Sequence, residues 1–230
     1  MKHRAVLSLG LAVFLMLNIF SMSAYANRYS DVVYCKKNSQ MKIALTFDDG
    51  PHPVYTGEIL DILKEYGVRA TFFVVGENVE RYPELVIREI AEGHEVGNHT
   101  YSHKHLSKTP PAEIIREIEA CERIIYQQCG EYRTKLFRPP EGVLPSAVHD
   151  YARDADYTVV LWSVDTYDWA HNPINEIMKN IKRNTEPGDI ILMHDSVKDS
   201  LTPTALRQVI PYLLDQGYSF VTVNELLGCQ

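Results

Sequence analysis

The chain has 230 residues, with 23 Lys+Arg against 30 Asp+Glu and a formal charge of −7. That length suits one domain with a sizeable core, and a composition of 45% hydrophobic and 23% charged residues excludes a disordered or collagen-like chain. The acidic balance argues against nucleic acid and against capture by anionic surfaces, both of which require clustered Lys and Arg.

Residues 1–26 read MKHRAVLSLGLAVFLMLNIFSMSAYA. A basic start, an apolar stretch and a closing Ala-Tyr-Ala form the three-part layout of a secretory signal peptide. An uncleaved N-terminal anchor is the alternative, although the apolar stretch is shorter than the ~20 residues that cross a bilayer comfortably. Either way the remainder is expected outside the cytoplasm, secreted or held at the cell surface. Without that segment 21 basic and 30 acidic groups remain, a charge of −9. Residues 27–40 have little periodicity and read as a lead-in to one domain over 41–230. Cys35, Cys121, Cys129 and Cys229 permit two disulfides, simplest as Cys35–Cys229 and Cys121–Cys129. Four buried free thiols are the other reading.

From residue 41 onward strands and helices alternate. MKIALTF (41–47) is a short apolar run that ends in polar residues, as a buried parallel strand does. Residues 55–66 carry a helical stripe through Ile59, Leu60, Ile62 and Leu63 that stops at Gly67. ATFFVV (70–75) is the next strand. A helix over 83–92 opens on Pro83, and a third strand runs over 94–98. A long helix over 111–127 turns Ile114, Ile118, Cys121 and Ile125 inward. Strands at 136–138, 157–162, 189–193 and 218–223 alternate with helices at 145–155, 174–184 and 204–216. About seven strands separated by helices imply a parallel sheet. No Gly-x-Gly-x-x-Gly follows a strand, which disfavours a dinucleotide-binding fold. The expected architecture is an irregular (β/α)7 barrel of the TIM type, one unit short of eight.

Polar residues cluster where strands end. Asp48-Asp49 follows the first strand, His99 and His103 the third, Arg138 closes the fourth, Asp165 and Asp168 follow the fifth, and His194-Asp195 follows the sixth. Parallel barrels gather functional residues at that end, so these groups are expected at one mouth. His99 and His103 stand four apart, and neutral imidazole is the commonest metal ligand. Two adjacent carboxylates at a buried strand end are costly unless a cation, a partner or a proton relieves them. One Asp with the two histidines makes a two-His-one-carboxylate set, which suits catalytic zinc and also non-haem iron.

Taken in order, TFDDG (46–50), HTYSH (99–103), RPPEG (138–142), DTYDW (165–169) and LMHD (192–195) resemble the five motifs of the polysaccharide deacetylases, the carbohydrate esterase family 4 or NodB-homology domain. The resemblance spans residues 41 to about 227 and implies a hydrolase that removes acetyl groups from a polysaccharide or oligosaccharide. It implies Asp48 as general base, and Asp49, His99 and His103 as ligands of a divalent ion, zinc first, with Co2+, Ni2+ or Mn2+ as alternatives. Such an ion lowers the pKa of bound water toward ~7. The resemblance further implies His194 as the acid for the leaving amine, Asp168 as its orienting partner and Arg138 as the partner of Asp48. Trp169 and Leu192 are expected to wall the acetyl pocket, and the Glu141 N–H to hold the oxyanion.

Many relatives have an aromatic residue where this chain has Glu141. The change spares a backbone donor but places a negative group at the groove edge. The expected reaction is de-N-acetylation of N-acetylhexosamine units in peptidoglycan or chitin-like oligomers by a monomer. O-deacetylation of acetylated xylan and a non-catalytic carbohydrate-binding homologue are the rivals.

Overall fold

The computed structural model describes residues 32–37 and 40–228. The expected signal segment at 1–26 and Cys229, with its proposed bridge to Cys35, lie outside them. Strand β1 (Lys42–Asp48) lies inside the sheet and pairs with three other strands. Its side chains alternate, as extended backbone requires. Ile43, Leu45 and Phe47 join the outer core beneath the helices, whereas Ala44 belongs to a smaller inner cluster with Phe73, Leu136, Val160 and Ile190. Asp48 shares the inward parity of Ala44, so its carboxylate is aimed into the barrel.

The other strands are β2 (Thr71–Val74), β3 (Glu95–Asn98), β4 (Leu136–Phe137), β5 (Thr158–Val160), β6 (Val164–Asp165), β7 (Ile190–His194) and β8 (Ser219–Phe220). Seven of them run in the order β5-β4-β3-β2-β1-β7-β6, and β8 pairs with the start of β1. Every pairing among them is parallel. The helices between them are α1 (Tyr55–Tyr66), α2 (Gly76–Arg81), α3 (Pro83–Ala91), α4 (Pro111–Gln128), α5 (Ser146–Asp154), α6 (Ile174–Asn184) and α7 (Thr202–Asp215). A short α8 (Val223–Leu227) adds Val223 and Leu226 to the inner cluster, and its capping box is closed by Thr222 and Glu225. The irregular parallel barrel read from the sequence is therefore the fold.

The strand expected over 157–162 divides in two. β5 ends at Val160 and β6 begins at Val164, at the two ends of the β5-β4-β3-β2-β1-β7-β6 run. Three linking residues reach at most ~14 Å, so the two ends face each other and the sheet curls nearly shut. Arg138, fully buried, occupies the region of this seam. Its Nε donates to the Val160 carbonyl at 3.1 Å and its Nη2 to the Leu161 carbonyl at 3.0 Å. A side chain supplies there what a further strand would have supplied, N–H donors for the carbonyls at the end of β5.

The α2 and α8 helices were not anticipated, because each is too short to show a helical period. α4 continues to Gln128, so Cys121 and Cys129 stand ~12 Å apart along the axis and remain unbridged thiols. Part of the lead-in is held against the barrel. Leu161 N–H donates to Val33 at 2.7 Å and Lys36 N–H to Gly188 at 2.7 Å. Gly188 has φ +96, and a Cβ there would fall on the Lys36 carbonyl. Gly188→Ala should therefore destabilise the fold by about 1–3 kcal/mol, read as a lower urea midpoint with unchanged m-value. An unchanged midpoint would mean that this contact does not hold in solution.

Candidate active site

Strand register assembles the site. Asp48 pairs directly with His194 across β1 and β7, Thr46 with Leu192, and Leu192 with Asp165 across β7 and β6. On the other side Asn98 of β3 is opposite Phe137 of β4, which puts His99 and Arg138 side by side at the next step. Residues distant in sequence thus meet at the carboxyl ends of the strands. They line a cavity of about 550 Å3 formed by Asp48, Asp49, His99, His103, Glu141, Trp162, Asp165, Trp169, Leu192 and His194.

Asp48 is buried and accepts from Arg138 Nη1 at 2.7 Å. The same nitrogen donates to Thr46 Oγ1 at 2.9 Å, and the guanidinium lies over the Phe73 ring, 4.0 Å from its centroid. Burial lowers the Arg138 pKa and the Asp48 charge opposes that fall. Guanidinium has a wide margin, so Arg138 keeps its charge.

Asp49, His99 and His103 converge beside it. His99 Nε2 is 3.3 Å and His103 Nε2 3.1 Å from Asp49 Oδ1. One ligand atom from each residue falls within 4.8 Å of the others. Two donors bound at ~2.1 Å in tetrahedral geometry stand about 3.3–3.4 Å apart, so the spacing fits a small divalent ion. His99 Nδ1 is 2.7 Å from the Arg138 carbonyl, which can only accept. That bond sets a proton on Nδ1, so that Nε2 offers a lone pair whenever the ring is neutral, the outer-sphere arrangement of a metal-binding imidazole, and donates to Asp49 when the ring is protonated. Burial raises the Asp49 pKa, but hydrogen bonds and charge from His103 and His99 reverse this and hold it far below the ordinary carboxylate range. Asp49, Thr100 and His103 all have positive φ, +76°, +68° and +52°. Such left-handed non-glycine backbone is costly and clusters at functional sites.

On the opposite wall His194 Nδ1 is 2.9 Å from Asp168 Oδ1. Asp168 is itself held by Thr202 Oγ1 at 2.7 Å, by the His194 N–H at 2.8 Å and by the Trp169 N–H at 3.0 Å. Burial disfavours the imidazolium, yet the Asp168 hydrogen bond and charge, with Asp48 and Asp49 beyond, outweigh it and raise the His194 pKa to about 9.

Leu192 is buried and faces the cavity, while Trp169 is 49% exposed and lines it, so Trp169 is not a core residue. Glu141 has φ +56 and ψ +14. The Gly142 and Val143 N–H groups close its turn on Pro139 and Pro140, and the Glu141 N–H is in neither bond. Trp162 was missed as a site residue because it was read as the last position of a strand; its place after β5 follows the same strand-end rule as the others. Thr46, Thr166 and Thr202, which support Arg138 and Asp168, carry no recognisable spacing. Asp195 is fully buried and accepts from Thr56 Oγ1 at 2.5 Å, behind the cavity and not in it.

Comparison with known proteins agrees with this geometry. Residues 36–160 match the family model described as polysaccharide deacetylase. The chain is 42% identical to a peptidoglycan-N-acetylglucosamine deacetylase of Bacillus cereus over 83% of its own length and 90% of the relative. It is 38% identical to a chitooligosaccharide deacetylase of Sinorhizobium fredii over 76% of its length and 87% of that protein. A crystal structure of a peptidoglycan N-acetylglucosamine deacetylase superposes with a TM-score of 0.83 at 37% identity, covering 87% of this chain and 94% of that one. The chain belongs to the polysaccharide deacetylases, carbohydrate esterase family 4.

Proposed function

We propose that the chain is a metal-dependent de-N-acetylase that acts, as a monomer outside the cytoplasm, on N-acetylhexosamine units of peptidoglycan or chitin-like oligomers. The observation that carries this reading is the pair of facing walls, a carboxylate with a ligand set on one side and a histidine kept protonated on the other. The named relatives support the substrate class. Among the described residues no helix is long and apolar enough to cross a membrane, and the signal segment remains the basis for export.

Asp49, His99 and His103 would hold the ion. Two imidazoles and one carboxylate are the donor set of catalytic zinc with open positions, and such an ion supplies Lewis acidity that acidifies a water and polarises a carbonyl. Asp48 takes the proton of the attacking water through the oxygen not engaged by Arg138. Its Oδ2 is 3.8 Å from His99 Nε2, next to the ligand set. Arg138 fixes the Asp48 rotamer through a charge-assisted hydrogen bond. The Glu141 N–H offers a donor to the carbonyl oxygen as it gains charge. Leu192 and Trp169 form the apolar wall for the acetyl methyl group and exclude water around it. His194 donates its Nε2 proton to the departing nitrogen, oriented by Asp168 through Nδ1.

An amine leaves poorly without a proton, whereas the alcohol of an O-acetyl ester needs less help. A protonated His194 in a built dyad therefore favours N- over O-deacetylation. Acetate release from N-acetylglucosamine oligomers should exceed that from acetylated xylan. Release from xylan alone would exchange the two readings, and binding of glycan without any release would leave a carbohydrate-binding homologue.

Replacing His99 or His103 with Ala should remove the bound metal, measured by elemental analysis, together with activity. His194→Ala should keep the metal and lower kcat by about 10²–10⁴-fold. Full kcat in that variant would show that His194 is not the acid.

The pH profile carries a sign. His194 donates only while protonated, and its pKa is raised to about 9. Activity should hold below that value and fall as pH rises through it. The folded value also exceeds the ordinary 6.5, so the dyad's stabilisation is complete below 6.5 and disappears through about 9. Asp168→Asn should move the alkaline limb of kcat to lower pH; an unmoved limb would break the assignment.

A further inference from the structure

We propose that Glu141 sets the charge preference of the substrate. Its carboxylate favours a glycan in which the sugar beside the reacting N-acetyl unit carries a free ammonium, and disfavours one in which that sugar carries a carboxylate. This rests on the de-N-acetylase reading and adds a specificity residue to it.

Among the ten residues that line the cavity are four carboxylates, Asp48, Asp49, Glu141 and Asp165, and no Lys or Arg. Two of the four are already matched. Asp48 is ion-paired with Arg138, and Asp49 faces two imidazoles at 3.3 and 3.1 Å. Asp165 accepts the Tyr167 N–H at 2.8 Å, and burial raises its pKa. Glu141 is different. Its side chain is 54% exposed, and the group beside it is His105 Nε2 at 3.4 Å, an imidazole that carries charge only when protonated.

The Glu141 carboxylate has a defined position. Gly142 follows with φ +67, and a Cβ there would press into the Trp162 ring. Two consecutive left-handed residues wedged on an indole hold the loop, and with it the side chain, at the cavity rim. A cavity of about 550 Å3 admits more than an acetamide group, so part of the neighbouring sugar lies against that rim. A carboxylate on the neighbour, such as the free lactyl group of a muramic acid, meets Glu141 and Asp165 without a basic residue of the lining to receive it. A glucosamine ammonium meets a favourable field. The reaction itself creates that ammonium, so each turnover improves the adjoining unit as a substrate.

The experiment compares kcat/KM of the zinc-loaded chain at pH 7 on three tetramers. One is fully N-acetylated glucosamine, the second has one unit already deacetylated, and the third alternates N-acetylglucosamine with muramic acid bearing free lactyl carboxylates. The parent should prefer the cationic to the anionic tetramer, and the preference should shrink between about 20 mM and about 500 mM salt as the Debye length falls. Glu141→Gln should lower the cationic-to-anionic ratio by about three- to tenfold, the size of one partly screened charge pair a few Å apart. Glu141→Lys should place the neutral tetramer ahead of the cationic one. A salt-independent parent ratio, or a ratio that Glu141→Gln leaves within about twofold, would overturn the proposal. Failure of the parent to release acetate from any of the three overturns the de-N-acetylase reading instead, so the two failures are distinguishable.

Discussion

The site depends on one buried cation. Arg138 is enclosed on all sides and makes four kinds of contact at once: to the Asp48 carboxylate, to Thr46, to the carbonyls of Val160 and Leu161, and to the face of Phe73. Its own carbonyl orients His99. Removing one partner from a buried ion pair leaves an uncompensated charge and costs about 3–5 kcal/mol. That penalty binds the unclosed seam of the barrel to the rotamer of Asp48 and to the tautomer of His99. Stability and chemistry are therefore coupled through a single guanidinium, and the narrowness of the seam is what makes the coupling possible. A closed eight-stranded barrel would engage those carbonyls in its ladder and leave Arg138 none to donate to.

The two walls of the cavity illustrate how environment separates acid from base. Asp49 is held ionised by two imidazoles despite its burial, while His194 is held protonated by Asp168 despite its own. Both groups are partly buried, and desolvation acts against the charged form of each. The partner decides the outcome in both cases. Because Asp48 and His194 are register neighbours on β1 and β7, no loop movement is required to bring the proposed base and the proposed acid together. This is the arrangement expected when titratable groups of opposed pKa are set for proton transfer at neutral pH.

Much of this could be read from the residues. The apolar run of 41–47 gave β1, and the strand-end rule brought Asp48, His99, Arg138, Asp165 and His194 to one mouth. What could not be read has physical causes. Residues 159–162 are continuously apolar, so nothing local announces that β5 stops at Val160 and that β6 joins the far side of the sheet; closure geometry decides it. α2 spans Gly76–Arg81, too few residues for a helical period to appear. The supporting threonines at 46, 166 and 202 have no pattern because their partners are fixed by tertiary packing. Trp162 was legible in principle but was absorbed into a strand that ran two residues too far.

The distribution of carboxylates explains why a cation suits this site. Asp48, Asp49, Asp168 and Asp195 are gathered around the barrel mouth, and each is neutralised differently. Arg138 matches Asp48, and His194 matches Asp168. Asp195 is fully enclosed behind the Asp48-Asp49-Gly50 turn, where a Cβ on Gly50 would collide with its carboxyl group. Burial first, and then the charges of Asp49 and Asp48, raise its pKa to about 7 against a hydrogen bond from Thr56. Asp195 thus retains its proton up to neutrality in place of a counter-ion. Asp49 alone relies on imidazoles that must be neutral to act as ligands, since a protonated Nε2 has no lone pair to give. With His99 held as the Nδ1–H tautomer by the Arg138 carbonyl, the charge left over at Asp49 Oδ1 is the one that a divalent ion between the three side chains would balance.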